Sequence, residues 1–121
     1  LYKMEVYALA REYNQRIGKD AVNESTLTKP PSAELAPDQK DEDSLPPYPV
    51  LDEILRLHIE EGLDATEIIA EGHDNAVVKD VLTRLARNEH KRWQMPPAPR
   101  VSKRAFGQGW RQPLAARHDW R

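Results

Sequence analysis

Between Lys29 and Tyr48 the chain reads KPPSAELAPDQKDEDSLPPY, which holds five of its ten prolines and five of its twenty acidic residues. Each proline lacks the N–H that a helix or sheet interior needs, and it drives the preceding residue away from helical conformation. Residues 28–48 must therefore be a loop. Composition alone makes it a linker; the alternative is a loop whose side chains do chemistry.

Everything else folds on either side of this break. Val6, Leu9, Ala10, Tyr13 and Ile17 recur at helical spacing, predicting an amphipathic helix over 2–17 that closes near Gly18. The stretch DAVNESTLT is short and mixed, and reads as a connection or one weak turn. Pro49 suits the first position of a helix over 50–61, with Asp52 and Glu53 in its first turn. Leu51, Ile54, Leu55, Leu57 and Ile59 supply its apolar face. Asp64 stands three residues before Glu67, a capping-box pattern that predicts a short helix over 65–70 ahead of Gly72. Asp74 or Asn75 can cap a last helix over 75–94. Val78, Val81, Leu82, Leu85 and Ala86 form its stripe, Trp93 extends it, and Pro96 and Pro97 end it. Residues 96–121 read as an irregular basic tail. No repeat and no alternating strand pattern occurs, so the expected class is a mostly α-helical segment.

Only 39% of the residues are apolar and 31% are charged, so any core is thin. The helical pattern already runs at the first residues, which suggests a fragment whose remaining part covers its apolar faces. No run approaches the ~18 apolar residues of a membrane span, and there is no signal-peptide pattern. With no cysteine, disulfides and thiolate metal sites are excluded. A cytoplasmic protein without a membrane partner is expected.

Charge is unevenly spread. Residues 24–80 carry fifteen acids against four Lys and Arg, whereas residues 91–121 carry eight Lys and Arg against the single acid Asp119. Such a tail suits an anionic partner. Phe106, Trp110 and Trp120 interleave with Arg104, Arg111, Arg117 and Arg121, as stacking surfaces for nucleic acid would. No nucleic-acid motif supports that reading and the acidic middle opposes it, so no nucleic-acid partner is expected.

Chemical signatures are sparse. No Gly-rich phosphate loop, G-x-S-x-G, HExxH or EF-hand pattern occurs. His58, His73, His90 and His118 lack metal-ligand spacing, and incidental roles suit them best. Asp41, Glu42 and Asp43 offer hard oxygens for a divalent cation, but a solvated charge run is the plainer reading. In RNEHKRW, residues 87–93, a helix would set Arg84, Arg87 and Lys91 along one edge with His90 and Arg92 flanking it. Cations in a last helical turn also serve simply to complement the helix dipole.

Three blocks in order, YKMEVYALAREYN, LTKPPSAELAPDQKDEDSLPPYPVLDEIL and RNEHKRWQMPPAPRVSKRAFG, together resemble the C-terminal part of the glutamine-dependent NAD synthetases. The resemblance covers nearly the whole chain, and the proline-rich block is its most specific part. It implies the C-terminal portion of an α/β Rossmann-like ATP-pyrophosphatase domain, similar to the adenine nucleotide alpha hydrolases. The activity implied is amidation of deamido-NAD to NAD through an adenylate, with ATP, Mg²⁺ and ammonia from glutamine. Further implied partners are the remainder of the synthetase chain and other copies in a homo-oligomer.

By the same resemblance Lys3 and Ser32 match positions that meet ATP, and His90 and Lys91 match a pair that contacts deamido-NAD. The proline-rich segment becomes a mobile active-site loop. The family's SGGxDS pyrophosphate loop, its upstream acidic Mg²⁺ ligand and its glutaminase domain are not in these residues. No catalytic residue and no metal ligand is assigned here. The contrasting reading, from a different class, is a non-catalytic helical interaction module with an acidic linker and a basic tail. If the resemblance holds, these 121 residues alone form no NAD in a coupled assay, and NAD formation by them would refute that expectation.

Overall fold

Helices carry the structure, and no β-strand occurs among the described residues. It is a computed structural model, and it describes residues 1–32, 35–94, 96, 98–104 and 109–114. The elements are α1 (Lys3–Ile17), α2 (Glu24–Thr28), a 3₁₀ turn (Asp41–Asp43), α3 (Tyr48–Arg56) running into a π turn (Leu57–Glu61), α4 (Ala65–Ala70), α5 (Asn75–Arg87) and α6 (Glu89–Trp93). The chain divides into two units, Leu1–Asp52 and Glu53–Arg121.

In the first unit α1 is bounded by local polar contacts. The Glu5 carboxylate accepts the Tyr2 N–H at 2.7 Å, satisfying a donor at the helix start. At the far end Gly18 adopts the left-handed conformation, φ 64°. Its N–H reaches the Gln15 carbonyl while that of Lys19 reaches Asn14, a Schellman closure that favours glycine at this position. Asn14 then clamps the following loop, donating to the Val22 carbonyl at 2.8 Å and accepting the Val22 N–H at 3.0 Å. None of α1 is buried: Val6, Leu9 and Tyr13 of the predicted stripe are exposed, and Ala10 and Ile17 only half-buried.

Two local expectations change in this unit. Part of DAVNESTLT is helical, because α2 buries Leu27 beneath it, and burial overrides weak local propensity. The proline-rich loop is interrupted by the 3₁₀ turn, where the Ser44 and Leu45 N–H groups both reach the Asp41 carbonyl.

The helix expected over 50–61 begins at Tyr48, since the Pro47 carbonyl accepts the N–H groups of both Val50 and Leu51. Asp52 and Glu53 thus lie beyond the first turn. Asp52 instead accepts the Met4 N–H at 2.7 Å, at the head of α1. Glu53 pairs with Arg56 at 2.8 Å, and that bond holds its carboxyl below the usual range. The π turn closes on Gly62, φ 81°, whose N–H reaches the Leu57 carbonyl.

The second unit owns the compact core. Ile54, Leu57 and Ile59, Ala65 and Ile68 of α4, and Val78, Val81 and Leu82 of α5 are all buried. α4 packs on both α5 and the π turn. Its start is the Asp64–Glu67 capping box, with reciprocal bonds of 2.9 and 2.8 Å. Asp74 caps α5 by accepting the Val77 N–H at 3.0 Å.

The helix expected over 75–94 is two helices. Asn88 donates from its side chain to the Arg84 carbonyl at 2.8 Å and takes a non-helical conformation, φ −96° and ψ 14°. A short amide side chain competing for a backbone carbonyl interrupts helices in this way. Among the described residues no helix is long and apolar enough to cross a membrane. Leu82→Ala should destabilise the protein by about 2–5 kcal/mol through the cavity it leaves, read as a lowered denaturant midpoint.

Candidate functional site

In the first unit, one cleft of about 360 Å³ gathers Lys3 and Tyr7 of α1, Ser25 and Thr26 of α2, Lys29, Pro30, Pro31 and Ser32 of the loop, and Asp41 of the 3₁₀ turn. The Lys3 ammonium lies 5.2 Å from the centre of the Tyr7 ring and 5.6 Å from that of Tyr48. Two ring faces attract and hold such a cation. The Tyr48 hydroxyl donates to Asp41 at 2.6 Å, and Asp41 is also tied through its N–H to the Pro31 carbonyl at 2.9 Å. Burial first, and then the bond to Asp41, push the Tyr48 phenol well above its ordinary value. The pair thereby anchors the proline-rich segment from both ends. Two ammonium groups with the hydroxyls of Ser25, Thr26 and Ser32 in one open cleft suit phosphate oxygens.

Lys3 and Ser32 are thus brought together, although 29 positions separate them in sequence. Asp41 and Asp43 are used structurally, Asp43 accepting the Lys40 N–H at 2.8 Å. No group of three carboxylates or imidazoles that could hold a metal occurs among the described residues. Lys29, Pro30 and Ser32 also face an adjoining hollow of about 590 Å³, bordered by Ala36, Asp38, Gln39 and Lys40.

His90 and Lys91 belong to the second unit, side by side and exposed on α6. The basic edge expected around them is not continuous. Asn88 breaks the helix, Arg84 pairs with Asp80 at 2.7 Å, and Arg92 points inward to a buried pair with Glu89. Burial pushes the Arg92 guanidinium down to about 10, leaving it charged at neutral pH. Trp93 does not extend the α5 stripe; it is half exposed, with the Arg111 guanidinium 4.4 Å from its ring.

Several contributors escaped the sequence reading. Tyr7 was not singled out within the helix over 2–17, and Tyr48 was read only as the end of the proline-rich loop; the available signal was a tyrosine seven positions after an aspartate. Glu89 and Arg92 continue the α5 stripe, four and seven positions after Leu85. Their charge hid them from a search for apolar periodicity. Of the tail residues weighed for stacking, Phe106, Arg117, Trp120 and Arg121 lie outside the described residues, as does His118.

The NAD synthase family model matches residues 1–96. A glutamine-dependent NAD(+) synthetase of Thermotoga maritima is 50% identical over 117 residues, 97% of this chain and 20% of that protein. One from Acinetobacter baylyi is 46% identical over 121 residues, 100% of this chain and 22% of its own length. Among solved structures, the glutamine-dependent NAD+ synthetase of Acinetobacter baumannii in complex with adenosine diphosphate aligns with a TM-score of 0.57 at 37% identity. That alignment covers 94% of this chain and 19% of that one. The chain spans about a fifth of the length of the curated relatives it matches.

The Tyr48–Asp41 anchor predicts that Tyr48→Phe loosens the loop. Loss of a bond to a charged acceptor costs about 1.5–3 kcal/mol, so limited proteolysis between Ala36 and Leu45 should quicken at least severalfold. Because the folded phenol is raised, its contribution is present below the ordinary tyrosine value of about 10 and is lost only as pH rises through the folded one. The parent loop should therefore stay protected at pH values where a free tyrosine ionises.

Proposed function

The chain belongs to the NAD synthase family, and from that premise we propose that it forms the C-terminal part of a glutamine-dependent NAD synthetase, within an α/β Rossmann-like ATP-pyrophosphatase domain. In the reaction of the whole protein, a carboxylate oxygen of deamido-NAD bonds to the α-phosphorus of ATP and pyrophosphate leaves. Ammonia released from glutamine then attacks the acyl carbon, loses a proton and displaces AMP, leaving the amide of NAD. Cytoplasmic location and a homo-oligomeric state are part of the same proposal.

The observation that carries the reading is the shared cleft of Lys3 and Ser32. Lys3 contributes a mobile point charge steadied by two rings, and Ser32 a hydroxyl for a phosphate oxygen of ATP. Their task is binding and orientation, which holds the reactants in attacking geometry and lowers the entropy cost of the step. His90 and Lys91 are assigned to deamido-NAD, a dianionic dinucleotide that an exposed ammonium and imidazole can meet. The proline-rich segment acts as a loop that helps to exclude water from the adenylate.

Mg²⁺ would neutralise triphosphate charge in this reaction. Asp41 and Asp43 are engaged by Tyr48 and by the Lys40 N–H, and no group of three carboxylates or imidazoles stands together among the described residues. The Mg²⁺ ligands are assigned to the remainder of the synthetase chain. That remainder is also the natural cover for the exposed stripe of α1.

In the full-length protein Ser32→Ala should lower kcat/KM for ATP, and Lys91→Ala that for deamido-NAD, each about ten- to hundredfold. If both variants synthesise NAD normally and only stability or partner binding changes, the interaction-module reading takes over. Proteolysis between Ala36 and Leu45 should slow when ATP and deamido-NAD are added together, and unchanged cleavage would make the segment a plain linker.

A further inference from the structure

α6 has five residues, too few to hold a helical conformation unaided. What holds it is the tail. Glu89 and Arg92 form a buried ion pair on its inner face, and Glu89 accepts the Gln112 N–H at 3.2 Å. The Arg92 guanidinium sits 4.2 Å from the Trp110 ring centre. Immediately beside it the pairing is reversed, with Trp93 of α6 receiving Arg111 of the tail at 4.4 Å. Trp110 in turn meets the His58 ring edge-on at 5.5 Å, and His58 is fixed by the Leu63 carbonyl at 2.8 Å from its Nδ1.

Three consecutive tail residues, Trp110, Arg111 and Gln112, therefore grip both ends of one helical turn. The two residues between Glu89 and Arg92 are His90 and Lys91, whose side chains are exposed. With both flanks of that turn held inward, the directions of His90 and Lys91 follow from the grip. We infer that Trp110, acting through Arg92, is a positioning residue for dinucleotide recognition: the tail strap aims Lys91 at an anionic ligand. This rests on the assignment of His90 and Lys91 to deamido-NAD.

The test uses full-length enzyme with Trp110→Leu, Trp110→Phe and, as reference, Lys91→Ala, measuring KM for each substrate, kcat and Tm. Leucine keeps apolar bulk but removes the ring face that holds the cation; phenylalanine keeps a face. Trp110→Leu should raise KM for deamido-NAD about three- to thirtyfold, with KM for ATP changed less than about twofold and Trp110→Phe close to the parent. Equal impairment of the two tryptophan variants would overturn the proposal, since bulk alone would then matter. So would a normal KM in Trp110→Leu beside a raised one in Lys91→Ala, an outcome that leaves the deamido-NAD assignment standing. A normal KM in Lys91→Ala would sink that assignment and the strap's role with it.

Discussion

A guanidinium taken out of water needs partners for its charge, and in the second unit Glu89 and the Trp110 ring supply them to Arg92. Arg92 is buried on α6, seven positions after Leu85 in sequence, where a leucine would have been simple to pack. Removing one partner of such a pair typically costs about 3–5 kcal/mol, far more than the intact pair contributes to stability. The pair is thus best understood as specifying an arrangement. It requires an acceptor at Glu89, a ring at Trp110 and a backbone donor at Gln112, and the tail has to lie across α6 to supply two of these. The same contacts engage Trp110 and Arg111, two of the side chains that, read in isolation, looked like a nucleic-acid surface.

The first unit meets a different shortage. Prolines withhold backbone donors, so order in the segment after α2 depends on side chains and on the few N–H groups left. Asp41 collects three of these ties, through its carboxylate, its N–H and its carbonyl. Leu35 donates to the Gln39 side chain at 3.0 Å, and Asp38 takes a left-handed conformation, φ 55°. Aspartate tolerates that region better than most residues do. In the acidic run, the Asp41 and Asp43 carboxylates serve the loop itself.

Legibility followed the range of the forces involved. The Asp64–Glu67 box, the Asp74 cap and the Gly18 closure act within one turn of chain, so spacing and residue type reveal them. The α5 side of the core was legible from periodicity because Val78, Val81 and Leu82 are apolar and regularly placed. Asn88 was a weaker signal: an asparagine in a helical pattern interrupts it only when its amide reaches a carbonyl a turn back. The partners of Lys3 were out of reach, since Tyr48 lies 45 positions away and nothing in local pattern joins them.

By itself the sequence determined that the proline-rich segment could hold no long helix or strand, that the chain would be helical on both sides, and, through the resemblance carried by three blocks, the family. These are consequences of covalent structure and of contacts a few residues apart. Only the tertiary structure decided that Lys3 and Ser32 share a cleft, that Asp41 accepts the Tyr48 hydroxyl, and that Arg92 is buried against Trp110. Each of those outcomes is a choice among partners of similar chemistry, and distance in space, which sequence separation does not encode, makes that choice.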